Sequence, residues 1–464
     1  MYSLFILAPL AAVIILNLPF RKTMKRAAFW CALTLLIMQI YLVLFPISDL
    51  KGLTSLLRFD FNIDFLSTVV LFCVGIVLLV TLLVGKSLIA GQEKLFNFTN
   101  LLLIILMGSN GVALVTDIFS LYVFIEITGV TSFILISFYK DRYALESTFK
   151  YIILSAVASV MMLFAIALFL LIAGDTSFSA INTALGNSPH SFLISLAAGV
   201  FICALFIKGG LMPFHSWLPD VYSAAPAPVS VLLAGIVTKV LGIYGLIRVA
   251  GSVLGFDGPL KNILLFIGAL SIILGALAAL GQNDFKKMLA YSSISQVGYI
   301  IMGLGCGTNL AIFGAVFHLF NHSIFKSALF VNSAAIELQT GTRNMNRMGG
   351  LASRMPITGV TSIISCLSAA GIPPLSGFWS KLIIVAALWI SGYYLYAVIG
   401  IIASGITLAY FLSLQRKVFF GGIKDEFKHI KEAGFGLILP VLILTVITIG
   451  IGLVFPFLPG MPKF

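Results

Sequence analysis

Apolar stretches long enough to cross a bilayer follow one another along this chain, with only short polar joints between them. They run at about 2–20, 27–46, 62–85, 97–116, 118–139, 145–173, 191–222, 228–253, 259–281, 286–305, 308–338, 356–391, 393–415 and 434–458. Hydrocarbon offers nothing to an unpaired backbone group, so a chain of this pattern folds as helices. The expected fold class is all-α: a polytopic membrane protein of about 14 transmembrane helices, with residues 1–464 forming a single integral membrane domain. Of its residues 60% are hydrophobic and 9% charged, against roughly 25% charged in soluble domains, so no hidden soluble domain is expected.

The formal net charge is +12, yet the basic residues fall between the apolar stretches instead of gathering on one face, which argues against nucleic acid as a partner. Of the 28 Lys and Arg, four lysines lie inside the stretches; 19 of the other 24 fall in joints after odd-numbered stretches. The remaining five, Lys51, Arg58, Arg248, Lys261 and Lys463, fall on the opposite side. By the positive-inside rule the basic joints face the cytoplasm and both termini the other side, as expected of a multi-pass protein of a prokaryotic inner membrane. The apolar run Leu4 to Phe20 precedes the cluster Arg21, Lys22, Lys25 and Arg26. That is the reverse of a cleavable signal's charge order, so the first stretch is expected to stay as a helix.

Three stretches are too long for a simple span and are expected to carry breakers near their middle. The seventh reads FIKGGLMPFHSWLPD, the eleventh FHLFNHSIFKSALF and the twelfth AAGIPPLSGFWSK. Unwound backbone at membrane depth survives where it is buried or lines a polar cavity, and in transporters such breaks at matching positions of two halves mark the pathway. Lys208 precedes the break at Gly209, Gly210 and Pro213, whereas Lys381 follows the break at Gly371, Pro373 and Pro374. This mirror order predicts two inverted five-helix repeats, about 97–253 and 259–415, with helices 7 and 12 broken.

An ionisable group near the bilayer centre costs at least about 2.5 to 3.5 kcal/mol, so each one is a functional-site hypothesis. Glu126, in LYVFIEITGV, is an acid well inside a helix, and a buried carboxylate either neutralises or finds a cation. Lys208 is the expected partner, and the competing reading is a pair that only fixes helix packing. Lys239 sits near the middle of its span, where an amine can exchange protons as a relay unless it snorkels to an interface. His318, His322 and Lys326 recur at i, i+4 and i+8 on one helical face, suited to a hydrated proton relay or to purely structural packing. The HxxxH spacing also fits a metal, but no HExxH glutamate or third soft ligand accompanies it. His215 and Asp220 follow the break of helix 7, where protons would be taken up or released, or where Asp220 or Ser216 would cap the resumed helix. Lys381 closes the series, and Asp117 falls at a helix end.

Cys31, Cys73, Cys203, Cys306 and Cys366 lie in apolar stretches without CxxC spacing and read as packing residues. There is no P-loop, Rossmann glycine triplet, cluster-binding cysteine set or haem motif, so no cofactor is expected in this chain. The joint GGIKDEFKHIKEAG reads as a solvated loop open to a partner subunit or anionic lipid.

The motifs LYVFIEITGVTSF, KGGLMPFHSWLPDVYSAAPAPVSVLLAGIVTKVLGIYGLIR, QNDFKKMLAYSSISQVGYI, FHLFNHSIFKSALF and GIPPLSGFWSKL together resemble the antiporter-like membrane subunits of respiratory complex I, Mrp cation/proton antiporters and energy-converting membrane-bound hydrogenases. The resemblance is clearest from about residue 100 to 420. It implies fourteen helices with two inverted repeats and a broken helix in each. It also implies a Glu126 and Lys208 pair, a linking Lys239, a central zone of His318, His322 and Lys326, and a terminal Lys381, where some members carry glutamate. The absence of a long lateral helix after the fourteenth stretch disfavours the most distal complex I type, and TKVLGIYGLIR and FNHSIFKSALF look closer to the Mrp and hydrogenase branch. The implied function is proton translocation within a redox-driven multisubunit pump, with other membrane subunits and a redox arm as partners; the alternative is a Mrp-type Na⁺/H⁺ antiporter without redox chemistry.

Overall fold

The computed structural model describes residues 3–18, 21–46, 63–187, 192–256 and 258–457, and the side chains of 21–23 are not among them. Lys51, Arg58 and Lys463 of the charge pattern lie outside the described residues. The described chain is helical, with isolated bridges but no strand. Eleven helices among the described residues are long and apolar enough to cross a membrane, and shorter apolar helices supplement them.

By contact the chain divides into two compact units. The first comprises Met1–Gly210, Ala224–Val229 and Ile236–Gly255; the second comprises Leu211–Ser223, Ser230–Gly235 and Phe256–Phe464.

The first unit contains α1 (Leu4–Leu16), α2 (Arg21–Leu44), α3 (Phe65–Leu88), α4 (Gln92–Leu114), α5 (Ile118–Ile136), α6 (Arg142–Ala173), α7 (Phe178–Asn187) and α8 (Phe192–Gly209). Capping aspartates set where three of these begin: Asp64 accepts from the Ser67 amide, Asp117 from Ser120 and Asp141 from Ala144, each satisfying an otherwise orphaned donor. In a medium without water, polar side chains hold helices together by bonding across them. Gln39 and Asn110 exchange amide hydrogen bonds of 2.9 and 2.7 Å, and Asn110 also donates to the Phe5 carbonyl.

Most of α10 (Ala227–Leu254) belongs to the same unit, and it departs from a regular helix. It includes π-helical turns at Leu233–Val237, Lys239–Tyr244 and Ala250–Leu254, features that single-residue periodicity does not signal. Its last part is clamped by Arg248. The guanidinium meets Asp64 at 2.6 and 3.0 Å, Ser67 Oγ at 2.8 Å and the Tyr244 hydroxyl at 2.8 and 3.1 Å. Tyr244 and Ser67 in turn donate to the Ala113 carbonyl, so one planar cation ties the starts of α3 and the ends of α4 and α10. The sequence pattern places Arg248 in a polar joint; the structure buries it, because Asp64 supplies the fork-matched anion that offsets the loss of hydration.

The Arg248 clamp yields an acid-dependent expectation. Partial burial pushes the Asp64 carboxyl up, but the Arg248 guanidinium and the Ser67 amide outweigh it and hold the group at about 2. A carboxyl held below its unfolded value stabilises the fold above pH about 4, and that contribution disappears as pH falls through about 2. Arg248→Met should therefore lower the melting temperature near neutral pH, with about 2 kcal/mol lost after allowing for water at the half-exposed Asp64. Melts followed by intrinsic fluorescence should show the gap between parent and variant narrowing between pH 4 and 2. A gap that ignores pH there would assign the loss to packing alone.

The second unit contains α9 (Trp217–Ala224) except its last residue, α11 (Gly258–Leu280), α12 (Phe285–Cys306), α13 (Asn309–Thr340), α14 (Pro356–Ala370), α15 (Ser376–Ile390), α16 (Tyr394–Val418) and α17 (Phe435–Phe457). Its tightest pair is α11 and α12, whose backbones touch. A Cβ on Gly268 would sit 2.6 Å from the Met302 nitrogen, and one on Gly305 2.6 Å from the Leu265 nitrogen. Small residues at such a seam let helices gain dispersion contacts where lipid provides no hydrophobic drive.

Both expected breaks are present. α8 ends at Gly209, Gly210 takes φ 66°, and helix resumes with α9 at Trp217. α14 ends at Ala370, Gly371 takes φ 85°, and α15 starts at Ser376. The eleventh stretch, grouped with them by length, is instead one continuous 32-residue helix, α13. Its Phe317–Phe330 portion holds no Gly or Pro, and Asn321 turns its amide outward to the Ser376 carbonyl at 3.0 Å instead of competing with its own backbone. The short helix α7 falls between the marked stretches, where an amphipathic ten-residue element is too short to register as a span.

Candidate functional site

Lys208 lies in the last turn of α8, its side chain fully enclosed. Its Nζ is 2.8 Å from Glu126 Oε1, 2.7 Å from Ser155 Oγ and 3.2 Å from Ser159 Oγ. An ammonium carries three donors, and here three acceptors surround it. Ser159 also donates to Glu126 Oε1 at 2.7 Å, so the carboxylate is held by two groups while its side chain keeps 24% of its surface exposed. Pairing of Glu126 with a lysine follows from the need of a buried carboxylate for a cation; the two serines were not foreseen. Their signal is a one-turn spacing on an apolar helix, Ser155 and Ser159 on α6.

Lys239 is buried at the start of the middle π-helical turn of α10. Its segment comes against the end of α8 through Gly209 and Gly242, where a methyl on Gly242 would collide with the Gly209 backbone. Two lysine-bearing helices of the first unit thus approach at glycine distance.

In the second unit His318, His322 and Lys326 are all fully enclosed on α13. The two imidazoles are 6.4 Å apart, 24° from parallel. His318 Nδ1 is 2.9 Å from Ser380 Oγ, and its ring lies 5.8 Å from that of Tyr299. Lys326 donates to the Leu289 carbonyl at 3.1 Å and to the Ser292 hydroxyl, and stands 5.7 Å from the Phe411 ring centre. Lys381, buried early in α15, reaches back over the break. Its Nζ is 3.5 Å from both the Ala370 carbonyl and Ser404 Oγ, and 4.5 Å above the Tyr299 ring. The Tyr299 hydroxyl lies 2.9 Å from Ser404 Oγ and donates to the Gly400 carbonyl at 2.6 Å.

Tyr299 therefore stands between the terminal lysine and His318, touching both with its ring, while Ser404 lies at hydrogen-bond distance from its hydroxyl and from Lys381. Sequence reasoning passed over Tyr299 and Ser404, as it did Ser292 and Ser380. Ser292, Gln296 and Tyr299 recur at i, i+4 and i+7 on α12, and all three are buried: a polar stripe on an apolar helix was the available signal.

His215 is half-buried in the break, 6.4 Å from Tyr291, with Nδ1 3.3 Å from the Pro213 carbonyl. Asp220 is in the first turn of α9 and pairs with Lys287 at 3.4 Å. Beside that pair, Lys286 meets Glu337 at 2.9 Å, and Arg343 lies 3.5 Å from Asp284. Asp117 caps α5. The five cysteines are free thiols, and among the described residues no group of three or more His, Cys, Asp or Glu could hold a metal ion. Chemically, the units hold buried amines, imidazoles and hydroxyls, and a carboxylate at Glu126, groups able to hold and exchange protons.

Residues 115–407 match the family model described as NADH:quinone oxidoreductase/Mrp antiporter, TM. The chain is 34% identical to the D subunit of the Na(+)/H(+) antiporter of Alkalihalophilus pseudofirmus over 84% of its length and 79% of that protein. It is 31% identical to the N subunit of the NADH-quinone oxidoreductase of Desulforudis audaxviator over 77% of its length and 73% of that protein. In fold it is similar to a chain of the Mrp complex from Dietzia sp. DQ12-45-1b, with a TM-score of 0.89 at 23% identity, covering 98% of this chain and 94% of that one.

Proposed function

The chain belongs to the NADH:quinone oxidoreductase/Mrp antiporter transmembrane family, and we propose that it is the proton-translocating, antiporter-like subunit of a multisubunit redox-driven ion pump. The observation that carries this reading is Lys208: a fully enclosed amine whose carboxylate partner, Glu126, retains access to the outside of the unit. With Glu126 at 2.8 Å the ammonium form is held; when the carboxylate moves away or is protonated, burial favours the neutral amine and a proton is released. Glu126 thereby switches the proton affinity of Lys208.

The carriers in this reading are Lys208, Lys239, the zone of His318, His322 and Lys326, and Lys381. Within the second unit hydroxyls stand beside them, Ser292 at Lys326, Ser380 at His318 and the Tyr299–Ser404 pair at Lys381. His215 and Asp220 stand where protons are taken up or released. Two inverted repeats, about 97–253 and 259–415, would give each half one broken helix and one buried lysine beside the break. Local features support that division: Asp117 and Asp284 each cap a helix and each bridge to the loop after the next one, at Ser177 and Asn344. The basic joints face the cytoplasm of a prokaryotic cell, and both termini face outward.

The 34% identity to a Na(+)/H(+) antiporter protein favours a second reading, membership of a Na⁺/H⁺ antiporter assembly without redox chemistry. Both readings give this chain the same proton-handling residues and differ in its partners. Purification of the intact assembly from its native membrane separates them. Iron–sulfur or other redox subunits should copurify with the chain; an assembly of small membrane subunits alone would favour the second reading.

A further inference from the structure

One open cavity of about 410 Å³ lies where α1 ends, α4 begins and α5 ends, and no step of proton transfer uses it. Its lining is divided by chemistry. Asn17, Asn97, Ser137 and Lys140 form a polar part, and Leu101 and the half-exposed Ile134 an apolar one. Two of the amides are fixed by the fold: Asn17 Nδ2 donates to the Val13 carbonyl and to Asn100 Oδ1, each at 2.8 Å, and Asn100 donates to the Phe96 carbonyl, which leaves the exposed Asn97 amide to a ligand.

Among the described residues neither Lys94 nor Lys140 is in an ion pair, and Lys94 stands 5.4 Å over the Tyr139 ring. The nearby acids are engaged, Glu93 with Lys25 at 3.2 Å and Asp141 with the Ala144 amide at 2.9 Å. Lys140 is also the one non-glycine residue with positive φ, 56°, among those described. A left-handed lysine is strained, and such strain persists where a position serves something other than the local fold.

We propose that this cavity seats an anionic phospholipid, its phosphate held by Lys140 and the amide of Asn97, with an acyl chain laid along Leu101 and Ile134. A phosphate alone would leave the apolar part unfilled, and an apolar helix from another subunit would bury Lys140 without a partner. Basic pockets between membrane helices at the interface suit anionic headgroups, each lysine strengthening the attraction about fivefold.

The test uses the full chain in phosphatidylcholine nanodiscs doped with phosphatidylglycerol, retained lipid being counted by native mass spectrometry. One phosphatidylglycerol should be retained in preference to phosphatidylcholine. Lys140→Gly should weaken that preference about fivefold while melting no lower than the parent, since glycine accepts the left-handed turn without strain. Ile134→Trp, which fills the apolar part and spares the charge, should also release the lipid. Equal retention of the two lipids, or full retention in either variant, overturns the proposal; so does inorganic phosphate competing as strongly as phosphatidylglycerol.

Discussion

Proton transport by the assembled complex should fall at least about a hundredfold on Lys208→Met, while the chain still folds and assembles. The asymmetry of the pair explains why this substitution is the informative one. Methionine fills the fully enclosed Lys208 site with apolar volume, and the abandoned Glu126 keeps 24% exposure and the Ser159 hydroxyl, so little stability is lost. Glu126→Ala is harsher. It leaves a buried ammonium facing only Ser155 and Ser159, which would cost about 3 to 5 kcal/mol unless the amine sheds its proton. Transport should be lost there too, and assembly should survive because neutral lysine remains bonded to the serines. A pair that merely fixed packing would give the opposite pattern, with Lys208→Met transporting normally.

Lys381→Met should also reduce transport at least about a hundredfold, with an even smaller loss of stability. Among the described residues this lysine makes no ion pair, and its two polar contacts are long, 3.5 Å each. An amine so loosely held is suited to giving up its proton, and contributes little to packing beyond its stem against the Tyr299 ring. Tyr299→Phe separates ring from hydroxyl: it keeps the platform beneath Lys381 and removes the bridge to Ser404, so transport should drop about tenfold, less than for the lysine. Thermal melts of both variants within a few degrees of the parent would show that the fold is intact. Normal proton uptake by Lys381→Met would remove it from the path.

The spans were legible because hydrophobic length is read directly by a bilayer, and the two breaks because Gly and Pro punctuate helices regardless of context. The continuity of α13 was not, since Asn, His and Ser are helix-neutral and only the Ser376 carbonyl, distant in sequence, shows where Asn321 goes. Likewise the π-helical turns of α10, one of which sets Gly242 against Gly209, carry no mark in the local sequence. Charged residues within spans announced themselves by their cost, and Glu126 and Lys208 found each other by charge. Hydroxyls carry no such cost, so Ser155, Ser292, Tyr299 and Ser404 were hidden among ordinary helix residues. The Arg248 clamp was hidden for another reason: Arg248 fell in a polar joint by pattern, and its partner Asp64 lies 184 positions away.

Proton uptake into proteoliposomes of the purified assembly, followed with a pH-sensitive dye as Lys208, Lys239, Lys326 and Lys381 are each replaced by methionine, tests the account most directly. Each replacement should reduce uptake to near background, because carriers in series fail one at a time. Uptake at the parent's rate in any one of the four would contradict a shared path through these lysines.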